Sequence, residues 1–324
     1  MCGERLGAQH GVAGCGRSGT RPAVDGRSGR SAVNDVVQWI VEPLQFGFMQ
    51  RALLISVVAG LVCAVLSCWV TLIGWSLLGD AVSHAVLPGV VLAYVLSLPF
   101  SAGAFLFGTL AVGLIAAVRS TTKLKGDAAI GVVFTGLFAL GLVLVSRIPS
   151  QVDLNHILFG NVLGVSDSDI IQVLVIAGLV LTVALLKRRD LTLYAFDPTH
   201  AHAIGLNPRR IAALLLTMLA LTVVVALQAV GVILVTAMLI TPGATAFLLT
   251  RRFSRMLAVA AALSVFSGVL GTYLSFHVDT STGGMIVLCQ ACLFGVVYLA
   301  APGQGLVAEA LRRRRRRAAR AAAV

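Results

Sequence analysis

Charge is what this 324-residue sequence has least of: 12% of its residues are Asp, Glu, Lys or Arg, about half the share of a soluble domain. Between Arg51 and Arg119 there is a single formal charge, Asp80. A water-soluble fold is excluded on that ground. No GxxxxGK[ST] stretch occurs, so the chain lacks the loop that cradles ATP phosphates. HExxH and a GxSxG nucleophile elbow are also missing, which removes zinc-protease and serine-hydrolase chemistry. The first 33 residues contain no apolar core of a secretory signal and read as a disordered basic tail. The six cysteines are too scattered for a disulfide framework. Cys2 and Cys15 lie in the tail, whereas Cys63, Cys68, Cys289 and Cys292 fall within apolar runs, where thiols pack as small hydrophobes. The Cys289 to Cys292 spacing puts both on one helix face, a weak metal signal that core packing explains as well.

Hydrophobic residues make up 58% of the chain and the mean hydropathy is +0.95. Apolar runs near 50–74, 82–98, 101–118, 128–146, 170–187, 210–227, 229–249, 256–276 and 283–301 are each long enough to cross roughly 30 Å of hydrocarbon as a helix. The expectation is an all-α polytopic transmembrane bundle of eight or nine spans. The domain division is a tail over 1–33, a membrane domain over 34–308 and an Arg-rich tail over 309–324. Residues 34–48 read as a short amphipathic segment at the membrane interface, broken at Pro43.

The net charge of +12 resides mainly at the ends: +3 in residues 1–33 and +6 in residues 309–320. Arginines there orient a membrane protein or meet anionic lipid, and nothing around them presents a nucleic-acid surface. The basic loops "RSTTKLKGD", "KRRD" through "NPRR" and "RRFSR" alternate along the chain with the C-terminal Arg run. The positive-inside rule then makes these loops and the C-terminus cytoplasmic, in a cell membrane. Nine crossings put the N-terminus outside. The arginines of the first tail favour inside, and so eight.

"GDAVSHAVLPG" places Asp80 and His84 at i, i+4, on one helical face with Ser83 beside them. A carboxylate inside a span costs roughly 2.5–3.5 kcal/mol on insertion scales, and such residues face a cavity and find a partner. One reading is structural, an Asp–His or Asp–backbone bond near a helix start. The other is a transient station for Mn(II), Fe(II) or Zn(II), for which one oxygen and one nitrogen donor suffice to bind weakly. Asp153 and His156 form a second pair at the outer end of a run, a candidate entry or gate site. His277 and Asp279 read as external loop residues. Pro242 and Gly243 interrupt "LITPGATAFLLT" and mark a kink that lines a cavity or acts as a hinge. In "YAFDPTHAHAIGLNPRR", Asp197 and Pro198 start a short cytoplasmic helix and Gly205 or Pro208 ends it. Its small apolar residues Ala201, Ala203, Ile204 and Leu206 make an interfacial loop or the docking surface of a cytoplasmic partner, with His200 and His202 solvated beside them.

"GDAVSHAVLPGVVLAYVL", "DLNHILFGNVLGVS", "FDPTHAHAIGLNP" and "VGVILVTAMLITPGATAFLLTRRF" together resemble the permease subunits of the zinc, manganese and iron ABC importers, the ABC-3 family. The resemblance runs in order over about residues 36 to 308 and is strongest with the manganese and chelated-iron branch. It departs at Ile73, where related sequences often carry a basic residue, and in both tails. It implies a homodimeric or paired permease that works with cytoplasmic ABC ATPase subunits and an extracytoplasmic metal-binding protein. By the same resemblance Asp80 and His84 line the metal path, and residues 197–206 form the coupling helix seated in the ATPase, with no permanently bound cofactor. The rival class is a proton-coupled secondary metal transporter, which calls for several intramembrane acids where this chain has Asp80 alone well inside a span.

Overall fold

The computed structural model describes residues 42–75, 77–98, 100–122, 126–147 and 167–301. Among these there is no strand, and residues from Pro43 onward form one compact unit. A 3-10 turn over Pro43–Gln45 leads into α1 (Gly47–Ile73). Then come α2 (Leu78–Ala85), α3 (Leu87–Val95), α4 (Phe100–Thr121), α5 (Gly126–Arg147) and α6 (Asp167–Leu186). Two short helices, α7 (Arg188–Phe196) and α8 (Pro198–Ala203), precede α9 (Pro208–Val230), α10 (Val232–Leu249), α11 (Phe253–Val278) and α12 (Thr282–Ala300). Of the eight or nine crossings the sequence left open, the described residues supply nine helical stretches long and apolar enough to span a bilayer.

The second stretch, Leu78–Val95, is α2 and α3 joined at Val86. Pro88 has no N–H to give to the His84 carbonyl four residues back, which interrupts the helical ladder there. Val86 nevertheless keeps helical dihedrals, φ −72° and ψ −24°, so the chain carries on across rather than turning back.

Helices alternate between two ends. At one end Trp69 of α1 meets Phe253 of α11 with tilted rings, centroids 5.3 Å apart, and donates its indole N–H to Thr192 Oγ1 of α7 at 3.2 Å. The end of α4 and the start of α5 join them, since Arg119 and Gly126 meet at Trp75. This end carries Arg188, Arg189, Arg209, Arg210, Arg251 and Arg252. At the opposite end Arg51 pairs with Asp167 at 3.0 Å, and Phe46 and Phe48 gather on Phe276.

Lipid tails are as apolar as leucine, so close backbone approach rather than hydrophobicity brings such helices together. Gly243 of α10 donates its N–H to Ser67 Oγ of α1 at 3.0 Å, and a Cβ there would lie 2.6 Å from the Ser67 carbonyl oxygen. Ser264 of α11 reaches the Gly60 carbonyl at 2.9 Å. Gly89 of α3 and Gly103 of α4 touch backbone to backbone. Around α1 the fully buried side chains include Ile55, Leu66 and Trp69.

Candidate metal site

α2 carries both members of the intramembrane polar pair. One turn of helix brings His84 Nε2 to 3.4 Å from Asp80 Oδ1, with side-chain exposures of 25% and 42%. Ser83 does not join them: its buried hydroxyl turns back to donate to the Gly79 carbonyl at 2.8 Å. The Asp80 carboxylate is thus open on one side of this single chain, at a depth where lipid is a costly neighbour for it.

The other side of the pair is walled by aromatic rings that the sequence reading missed. His84 meets Phe138 edge-on at 5.3 Å and Phe134 at 5.6 Å, and these two rings stack on each other at 5.9 Å. Phe134 and Phe138 lie on α5, one turn apart. At 1.5 Å per residue they stand about 12 and about 18 Å up from Gly126, near the middle of the span. Their i, i+4 spacing was visible in the sequence, but in a helix apolar on every face that spacing does not distinguish a site wall from a lipid-facing stripe.

Gly79, beside Asp80, packs against α10: a Cβ there would lie 2.9 Å from Leu239 Cδ1. Three residues further along α10 come Pro242 and Gly243, both buried and held on α1 through Ser67. The helix runs unbroken through the proline. Pro242 and Gly243, the expected kink or hinge, make a tightly packed contact that also adjoins the start of α2. Asp153 and His156 lie outside the described residues. His277 ends α11 rather than sitting in a loop, and Asp279 follows as its left-handed cap with φ 54°.

Among the described residues no three His, Cys, Asp or Glu side chains gather as a metal cage. Cys289 is buried and Cys292 exposed on α12, and Cys63 and Cys68 are buried in α1. Among the described residues Asp80 and His84 bring one oxygen and one nitrogen donor together, fewer than the four ligands of a structural zinc site.

At the basic end the segment over residues 197–206 folds as a capped helix. Asp197 accepts N–H bonds from Thr199 at 2.9 Å and His200 at 3.0 Å, and Pro198 occupies the first position of α8. The His200 amide, assisted by that of Thr199, holds the Asp197 carboxyl below the usual carboxylate range. Gly205 leaves the helix at φ +91°, and Leu206 closes the turn by donating to the Ala201 carbonyl at 3.0 Å. Ala201, expected on the outer surface, is instead fully buried underneath. His200, His202, Ala203 and Gly205 face outward, with Ile204 56% and Phe196 65% exposed.

Comparison with known proteins agrees with this architecture. The ABC 3 transport family matches residues 45–301. The manganese transport system membrane protein MntB of Synechocystis sp. is 58% identical over 276 residues, 85% of this chain and 90% of that protein. The chelated iron transport system membrane protein YfeD of Yersinia pestis is 51% identical over 267 residues, covering 82% of this chain and 90% of its own length. The solved structure of PsaBC from Streptococcus pneumoniae in complex with Fab superimposes with a TM-score of 0.74 at 37% identity, over 83% of this chain and 97% of that one.

Proposed function

The chain belongs to the ABC 3 transport family, and from that premise we propose that it is the membrane-spanning permease subunit of an ATP-driven importer of divalent transition metals, manganese foremost among manganese, iron and zinc. The observation that carries this reading is Asp80 and His84 held side by side at mid-depth, walled by Phe134 and Phe138 and open on one face.

A half-exposed carboxylate at that depth calls for a protein neighbour. A second permease copy, or a closely related chain, supplies it. Two copies about a two-fold axis bring two Asp80 and two His84 donors together, enough to strip water from an incoming ion. The imidazoles favour manganese, iron and zinc over magnesium, which dehydrates reluctantly. Metal arrives from an extracytoplasmic binding protein at the end bearing Arg51 and Asp167, with Asp153 and His156 as entry residues. The basic end is cytoplasmic and the C-terminus lies on that side of the plasma membrane. There α8, with Ala203, Ile204 and Gly205 outermost, seats in an ABC ATPase subunit that hydrolyses the nucleotide, for which this chain has no site of its own. Closure of the ATPase pair moves α8, and the packed contact at Pro242 and Gly243 yields as a hinge while the bundle opens inward.

The test is reconstitution of the permease with its ATPase and binding protein in proteoliposomes. Uptake of radiolabelled Mn(II) should require ATP and be independent of a proton gradient. Gradient-driven uptake without ATP overturns the proposal in favour of a secondary transporter.

The aromatic wall gives a separate expectation. Phe138→Ala frees the imidazole to swing from the carboxylate and should raise the KM for Mn(II) uptake about tenfold, the lower end for losing a group that orients a ligand. Phe138→Leu, which keeps most of the volume, should cost less. A KM unchanged in both variants would show that the rings only fill space.

A further inference from the structure

Between α7 and the first turns of α11 lies a cavity of about 470 Å³, none of whose lining residues belongs to the metal site. Exposed Arg188, Arg189 and Ser254 line it together with half-buried Leu193, Phe253 and Leu257. A neighbouring cavity of about 270 Å³ shares Phe253 and the exposed Phe196, and brings in Arg251. The protein does not neutralise this charge. Asp190, the one carboxylate of α7, pairs with Lys187 at 3.5 Å, and no described carboxylate pairs with Arg188, Arg189, Arg251, Arg252 or Arg255.

Position relative to the spans decides what fits. The apolar stretch of α6 ends at Leu186 and that of α10 at Leu249, while that of α11 starts at Phe253. Arg188, Arg189 and Arg251 therefore stand at the bilayer edge. Leu257 lies about 6 Å along α11 from Phe253, inside a span. A cationic edge continuous with an apolar wall below it matches an amphiphile, with an anionic group on the guanidiniums and a hydrocarbon chain on the wall. A free anion leaves the wall bare, and a soluble protein surface reaches the arginines but not Leu257.

We propose that this cavity binds an anionic phospholipid of the leaflet at the basic end, its phosphate held by Arg188 and Arg189 with Arg251 beside them, and an acyl chain along Phe253 and Leu257. Guanidinium forks match phosphate oxygens in pairs. Basic pockets between membrane helices near a leaflet surface take anionic headgroups, and the volume is that of a small-ligand pocket. The site requires only that the chain is embedded in a membrane, and is independent of the transported ion.

The test is native mass spectrometry of the full chain, co-purified with its ATPase, released from nanodiscs of equal parts phosphatidylglycerol and phosphatidylcholine. Wild type should retain phosphatidylglycerol in preference. Arg188→Gln with Arg189→Gln should lower that preference about thirtyfold, about fivefold for each arginine. Leu257→Trp, which fills the cavity and keeps every charge, should also abolish it. Arg209→Gln with Arg210→Gln, which removes the same charge at the start of α9, should leave it unchanged. An unaltered preference in the Arg188/Arg189 pair or in Leu257→Trp overturns the site. Equal loss in the Arg209/Arg210 pair overturns it in favour of diffuse surface charge. Displacement of the retained lipid by inorganic phosphate or glycerophosphoglycerol as effectively as by phosphatidylglycerol assigns the arginines to a free anion and overturns the lipid. Loss of the ATPase with the lipid retained in the Arg188/Arg189 pair assigns the groove to the partner protein and overturns it as well.

Discussion

Asp80→Ala and His84→Ala should each lower ATP-dependent Mn(II) uptake about 100-fold or more while the permease still inserts and assembles with its ATPase. The magnitude follows from the donor count. On the proposed function each chain brings Asp80 and His84, 3.4 Å apart, as donors, so a two-fold pair of permeases would lose two of four when either is replaced. Replacing groups that merely orient ligands already costs 10–100-fold in other metal sites. The intact insertion follows from electrostatics: removing a carboxylate from a span relieves roughly 2.5–3.5 kcal/mol on insertion scales. His84→Ala leaves a gap beside Phe134 and Phe138, so His84→Gln, which fills it and keeps a polar tip, serves as control for packing. The measurements are initial uptake rates of labelled Mn(II) and Zn(II), with membrane yield and ATPase co-purification alongside. Wild-type rates in either alanine variant would remove Asp80 and His84 from the metal path.

Ile204→Glu should abolish co-purification of the ATPase without affecting membrane insertion. Ile204, which caps the end of α8, is 56% exposed, and Phe196 of α7 is 65% exposed. A carboxylate introduced at the core of a docking surface loses its hydration without gaining a partner. Central anchors in such interfaces are worth 2 kcal/mol or more, about 30-fold or more in affinity. The neighbouring Asp197 cap sets how this interface responds to acid. A carboxylate whose folded pKa is lowered stabilises the helix fully above its unfolded value of about 3.9, and that contribution is lost only as pH falls through the lowered value. ATPase association should therefore show no dependence on this group between about pH 6 and 8. Retention of the ATPase by the Ile204→Glu permease would show that α8 is not the docking element.

The parts of this protein that a linear reading reaches are those written in local spacing. Asp80 and His84 share a face because four residues make about one turn, and the structure sets them 3.4 Å apart. Asp197 and Pro198 start a helix, and Gly205 lies just past its end, because capping is a matter of neighbouring residues. Reading Ala201 as an outward residue failed for a tertiary reason. A six-residue helix packs on α7, and only the fold decides which alanine is underneath.

Composition by itself determined that this chain is a helical membrane bundle, since an apolar chain in lipid must satisfy its backbone internally. Ordered motifs determined the family. Tertiary structure decided the rest: nine candidate spans among the described residues, a second span that continues through Val86 and Pro88, Phe134 and Phe138 against His84, and Arg119 over Trp75. The physical reason is common to all of these. In water a helix shows its buried face by the polarity of the opposite one. In a bilayer lipid and core are equally apolar, so the sequence does not show which face meets which neighbour.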